Sequence, residues 1–202
     1  MLGIVFTTPD DATTFLQQHT AGRTDRLEED TPLPLGNLLV VVTGPGKIKA
    51  TLATERLLQS HDPDTLIHTG RCTALSADVS VDTVVGASFV LEGDRVELDA
   101  PTYPRMPLSC PYDVEREGTL VSQDHTPNGE DDSLNYWARL ADVRDSTSYA
   151  VAYVAAQHGT PCHVAKVVYS SLNAETSPAS APSETIASFL SGAIDTADLP
   201  TE

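Results

Sequence analysis

The chain has 202 residues, 40 % of them in the hydrophobic set, with 29 Asp plus Glu against 12 Lys plus Arg, a net charge of −17. That length suits one domain with a sizeable core. A field of that sign repels phosphate backbones and anionic lipid, which argues against a nucleic-acid binder or a polybasic membrane protein but leaves room for a small anionic substrate in a locally positive pocket.

No apolar stretch approaches the ~20 residues needed to span a bilayer. Met1 to Phe6 has no basic flank and runs into Thr7-Thr8-Pro9-Asp10-Asp11, so it reads as a first strand and not a signal peptide. Cys72, Cys110 and Cys162 are widely spaced and without a CxxC pair. They argue against a disulfide framework and a zinc site, and for a reducing cytoplasm.

In chain order, Leu2 to Thr7 is a strand. Pro9-Asp10-Asp11 then starts a helix that runs to Gln18, with acids in its first turn. Gly22 to Gly36 is a polar loop. Asn37 to Thr43 is a continuous apolar run of buried parallel-strand type. Gly44-Pro45-Gly46 breaks it, and Lys47 to Ser60 follows as a helix with Ile48, Leu52, Leu57 and Leu58 at helical spacing. Thr65 to Thr69 is the next strand, ended by Gly70. Strand, glycine turn, helix and strand make up a βαβ unit. Val84 to Leu91 is a strand, Pro101 to Gly118 a long proline-rich loop, and Thr119 to Gln123 a further strand. Glu130 to Trp137 is weakly helical. Asp145 to His158 is a helix of small residues with Gly159 as its C-cap. Cys162 to Tyr169 is a strand, and Glu184 to Ile194 the last helix. One domain spans 1–195, and 196–202 is a frayed tail.

Gly44-Pro45-Gly46-Lys47 sits where a helix N-terminus would attract an anion. It is not a Walker loop, because Ile48 follows the lysine where Ser or Thr is needed. Arg71, at the carboxyl end of a strand, either faces an anionic ligand group or makes a surface salt bridge. The six histidines share no metal-ligand spacing.

These stretches, in this order, resemble the nucleoside phosphorylase and nucleosidase superfamily. The likeness is closest to its methylthioadenosine/S-adenosylhomocysteine nucleosidases and short actinobacterial nucleosidase proteins. The resemblance runs through Gly3-Ile4-Val5 to Asp11, through Val42 to Ala50 with its Gly-x-Gly-Lys turn, and through Pro63 to Thr73 with its TGSAG-like turn. It ends with Asp145 to Ala156, Gly159-Thr160-Pro161 and Val164 to Ser170. It implies an α/β fold, a three-layer α/β/α sandwich on a mixed, mostly parallel sheet. It also implies a homodimer and a nucleoside ligand, with phosphate as a second candidate; neither cofactor nor metal is expected.

Residue by residue, the resemblance carries over with substitutions. The family's leaving-group acid falls on Ser170. Its ribose-holding glutamate falls on Thr147, beside Ser146, and its water-orienting glutamate on Asp11. The serine of the TGSAG-like turn, after Gly70, falls on Arg71. The base-pocket stretch falls near Gln123-Asp124-His125-Thr126 and lacks its aromatic. Gly46, Gly70, Arg71, Asp124, Thr126, Ser146 and Thr147 are therefore the expected binding residues, and Asp11, Ser170 and Asp145 the expected catalytic ones. A serine is far too weak an acid to replace a carboxylic acid in protonating a leaving base, and general acids contribute ~10²–10⁴-fold. Asp124, Asp145 and Glu175 are the candidate surrogates. Two readings stand: a divergent N-ribosyl-cleaving enzyme, or a protein that keeps the fold and pocket without the chemistry.

Overall fold

The computed structural model describes residues 1–20, 27–94, 104–125, 136–171 and 181–197. Its elements in chain order are β1 (Leu2–Phe6), α1 (Pro9–His19), β2 (Leu33–Leu35), β3 (Leu38–Val42), α2 (Lys47–His61), β4 (Thr65–Ala74) and β5 (Val84–Glu92). There follow β6 (Arg105–Pro107), β7 (Arg116–Ser122), β8 (Val143–Asp145), α3 (Ser148–His158), β9 (Cys162–Ser171) and α4 (Pro182–Ala197).

The apolar runs of β1, β3 and β4 are continuous because both of their faces are covered. Successive side chains on a strand point to opposite faces. Ile4, Phe6, Val40, Val42 and Ile67 pack into one core with Phe15 and Leu16 of α1 and Ile186 and Leu190 of α4. Val5, Leu39, Val41 and Leu66 pack into the other, with Ala50, Ala53 and Leu57 of α2 and Val151 and Val154 of α3. β3, β1 and β4 are parallel neighbours, in that order.

The sheet is mixed, as expected, but it is not the plain central sheet of the expected three-layer sandwich, because part of it closes on itself. β9 pairs with β4 in parallel and with β5 antiparallel. β5 pairs β7, β7 pairs β8, and β8 pairs back to β4. Five strands, β4, β8, β7, β5 and β9, thus form a closed ring, and a third core of Val85, Val90, Leu120, Val143, Val164 and Val168 packs around it. Closure by strands distant in sequence leaves no local signal to read.

Four element boundaries also differ. β4 does not stop at Gly70 but continues to Ala74, because β9 pairs with it over that whole length. The helix expected from Asp145 begins at Ser148, and Val143–Asp145 is strand β8. The expected proline-rich loop contains β6 and the start of β7, and the expected polar loop before β3 contains β2. Ile48 and Leu52, expected on the packed face of α2, are 76 % and 50 % exposed; its core face is Ala50, Ala53, Thr54, Leu57 and Leu58. The C-cap at Gly159 holds, with the left-handed φ of 72° that glycine adopts without strain. Most of Glu130 to Trp137 lies outside the described residues. Among the described residues no helix is long and apolar enough to cross a membrane.

Candidate functional site

A cleft of about 250 Å³ opens where the carboxyl ends of β1, β7 and β8 meet the second half of β4 and the end of β9. Thr7, Arg71, Cys72, Thr73, Gln123, Arg144, Asp145, Ser146 and Tyr169 line it. Ligands in open α/β sheets bind beyond the carboxyl ends of strands, and the ring keeps that geometry here.

Behind the cleft wall lies a buried polar network. Lys166, in the middle of apolar β9, is fully buried. Its Nζ is 3.1 Å from Asp145 Oδ2, and it donates to His68 Nε2 at 2.8 Å and to Thr7 Oγ1 at 3.0 Å. His68 Nδ1 lies 2.8 Å from the Val5 carbonyl, which can only accept, so Nδ1 carries the ring proton and Nε2 the lone pair that faces Lys166. Burial, with the Lys166 charge, pushes His68 down to about 3, so the ring is neutral. Burial alone would raise the Asp145 carboxyl. The Lys166 ammonium and hydrogen bonds from Ser148 and Ser122 overcome that and hold it well below the usual carboxylate range.

Asp145 has little capacity left for a ligand. Ser122 Oγ donates to its Oδ1 at 2.7 Å, and Ser148 Oγ to its Oδ2 at 2.6 Å. The backbone amides of Thr147 and Ser148 also bond to it, at 3.2 Å and 3.1 Å. It thereby caps α3 from outside the helix, which is why the helix starts three residues later than its sequence suggests.

Asp11 is committed in the same way. Thr8 is the N-cap of α1, and Thr8 and Asp11 form a reciprocal capping box. Thr8 N donates to Asp11 Oδ2 at 3.1 Å. Asp11 Oδ1 forms an ion pair with Arg71 Nε at 2.7 Å, not aligned as a hydrogen bond. Arg71 Nη2 donates to Thr8 Oγ1 at 3.0 Å, and the guanidinium lies over the Tyr169 ring, 5.5 Å from its centroid. Gly70 makes this approach possible. Its φ is +142°, and a Cβ there would stand 2.8 Å from Thr7 Oγ1 and 3.0 Å from Asp11 Oδ2.

Of the residues expected from sequence, Arg71, Asp145 and Ser146 lie together on the cleft wall. Thr147 is fully buried behind it, its hydroxyl 2.9 Å from His68 Nε2 and 3.1 Å from Asp145 Oδ2. Ser170 is paired with Thr73, hydroxyl to hydroxyl at 3.0 Å. Gly46 reaches the wall through its N–H, which donates to Ser146 Oγ at 3.3 Å. Asp124 is exposed and accepts from Lys47 N at 2.8 Å, so the protein's own carboxylate stands at the N-terminus of α2. Thr126 and Glu175 lie outside the described residues.

Lys166, His68 and Arg144 are not among the residues expected from the sequence. A signal was there for the first two: a lone lysine inside Cys162 to Tyr169 and a histidine inside Thr65 to Thr69, both apolar runs. Arg144 offered none. Cys72 lines the cleft, but burial pushes its thiol up, which makes it a poor nucleophile. Among the described residues no group of three His, Cys, Asp or Glu is placed to hold a metal ion.

No curated protein matches the sequence. Among solved structures, the 5′-methylthioadenosine/S-adenosylhomocysteine nucleosidase of Helicobacter pylori with butyl-thio-DADMe-Immucillin-A is similar over 96 % of this chain and 97 % of its own, at 17 % identity and a TM-score of 0.76. Futalosine hydrolase of the same organism gives 17 % identity, 96 % and 97 % coverage and a TM-score of 0.75. The Neisseria meningitidis nucleosidase with methylthio-immucillin-A gives 15 %, 96 % and 98 %, and 0.74. These chains share the fold. The family profile of the phosphorylase superfamily matches residues 2–115, more than half of the sequence, and the chain belongs to that superfamily.

Proposed function

We propose that the cleft binds a nucleoside-type small molecule without breaking its N-glycosidic bond. Family membership and a fold shared with nucleosidases whose structures hold nucleoside analogues support the ligand class. The observation that carries the rest is the state of the acids. Asp145 is the one carboxylate on the cleft wall among the described residues, and it is bound to Lys166 and to the N-terminus of α3. Asp11 is held by Arg71 and its own capping box. Cleavage builds negative charge on the leaving base, and the residue at the matching strand end, Ser170, has only a hydroxyl to offer.

Release of free base is the test. The protein is incubated with methylthioadenosine, S-adenosylhomocysteine, adenosine, inosine and uridine, each with and without phosphate, and the products are separated by chromatography. The expected result is no free base above the blank, with at least one nucleoside raising the melting temperature. Turnover that disappears in Asp11→Ala refutes the proposal and makes the chain a divergent nucleosidase, or a phosphorylase where phosphate is required.

A further inference from the structure

Among the described residues, every charged group at the cleft has a close partner of opposite sign except one. Arg71 faces Asp11, and Asp145 faces Lys166. Arg144 lies on the same wall, half-buried, and among the described residues its guanidinium makes neither a hydrogen bond nor an ion pair. Its Nη1 is buried with no partner. The acids whose charge reaches it are Asp94 and Asp145, and each is in closer contact with a lysine, Asp94 with Lys47, which Glu92 also holds, and Asp145 with Lys166. Asp94 Oδ2 is 2.6 Å from Lys47 Nζ and accepts from Asp124 N at 2.6 Å. Asp142, two residues earlier in the chain, is 2.8 Å from Arg116 Nη2.

Beside Arg144 on the cleft wall stands Gln123, whose Oε1 is also buried without a partner. The two residues sit on neighbouring strands: Val121 pairs with Arg144, and Gln123 N donates to the Asp145 carbonyl at 2.8 Å.

A guanidinium stays charged at any physiological pH, so it cannot escape burial by losing its proton. Leaving it half-buried without a hydrogen bond or a contact ion pair is unfavourable, and supplying one is correspondingly favourable. In a chain of net charge −17, a cation facing a cleft with no contact partner among the described residues is the feature that general surface composition explains least. We propose that Arg144 is the anchor for a negatively charged group of the ligand, a phosphate or a carboxylate. The ligand of the cleft is then an anionic nucleoside derivative and not a neutral nucleoside. This rests on the reading of the cleft as a nucleoside site.

Matched pairs of probes test it. Binding of inosine and inosine 5′-monophosphate, of uridine and orotidine, and of inorganic phosphate alone is measured by calorimetry on wild type, Arg144→Gln and Arg144→Lys. Circular dichroism confirms that the variants fold. A hydrogen-bonded charge pair corresponds to roughly 10- to 100-fold in affinity. One anionic member is expected to bind wild type tighter than its neutral partner by that factor. Arg144→Gln should erase the difference by weakening the anionic member more than the neutral one, and Arg144→Lys should restore part of it. Equal binding of charged and neutral members, or a preference that survives in Arg144→Gln, overturns the anion site and leaves the nucleoside reading standing. Arg144-dependent binding of inorganic phosphate with no nucleoside bound upholds the anion site and overturns the nucleoside reading. No binding by any probe overturns both.

Discussion

Lys166→Met removes the cation from the buried network and leaves Asp145 in place. The methionine fills nearly the same volume, so the perturbation is one of charge. Lys166 Nζ loses contacts to Asp145, His68 and Thr7 at 3.1, 2.8 and 3.0 Å. Breaking a buried ion pair from one side costs about 3–5 kcal/mol. Asp145 keeps its bonds from Ser122, Thr147 and Ser148, so the lower figure applies, about 3 kcal/mol. For a chain of this size that is a fall in melting temperature of roughly 6–12 °C. The double variant Lys166→Met with Asp145→Asn removes both charges and should lose about 1–3 kcal/mol less than the two single changes summed. The assay is urea unfolding at pH 7, repeated at pH 5. In Lys166→Met the largest influence opposing the burial that raises the Asp145 carboxyl is gone and only its hydrogen bonds remain, so the destabilisation should shrink as pH falls. A loss under about 1 kcal/mol, or additive single changes, would refute the view that the pair acts as a unit.

Stability should also track the protonation of His68. The unfolded chain takes up this proton near pH 6.5 and the folded chain only near pH 3. The contribution is therefore complete above pH 6.5 and is lost as pH falls through that window, with a limiting slope of about 1.4 kcal/mol per pH unit; urea midpoints between pH 4 and 7 should show it, and His68→Asn should flatten it. Gly70→Ala places a Cβ against Thr7 and Asp11 at a φ of +142°, and calorimetric unfolding should register a loss of about 1–3 kcal/mol. On α2, Leu57→Ala should cost about 2–5 kcal/mol, whereas Ile48→Ser, at a position 76 % exposed, should stay within about 0.5 kcal/mol. Comparable losses for the two would contradict the observed face of the helix.

Local features were legible in the sequence. The apolar runs of β1, β3 and β9 and the helices α1, α2 and α3 follow from periodicity, the acids after Thr8 mark the first helix start, and Gly159 marks a helix end. These signals act within a few residues of chain, where propensity and capping operate. The packed face of α2 was half legible: Leu57 and Leu58 do meet the core, but Ala50 and Ala53 hold the places expected of Ile48 and Leu52, where close approach favours small side chains. Arg71 was legible as a cleft residue from its place at a strand end, and Asp145 only through the family resemblance, at an expected helix start.

The partners of those residues were not legible, because they come from elements far apart in sequence. Asp145 meets Lys166 and His68 only because β8 and β9 both pair with β4, and Asp11 meets Arg71 only because β1 lies beside β4. The sequence by itself determined the residue types at the cleft, a serine where a leaving-group acid is expected and an aspartate where a glutamate is. Only the tertiary structure decided that both carboxylates are already paired and that Arg144 has no contact partner among the described residues. The physical reason is that a charge's state in a fold depends on what lies within a few ångströms of it, and closure of the strand ring sets those neighbours.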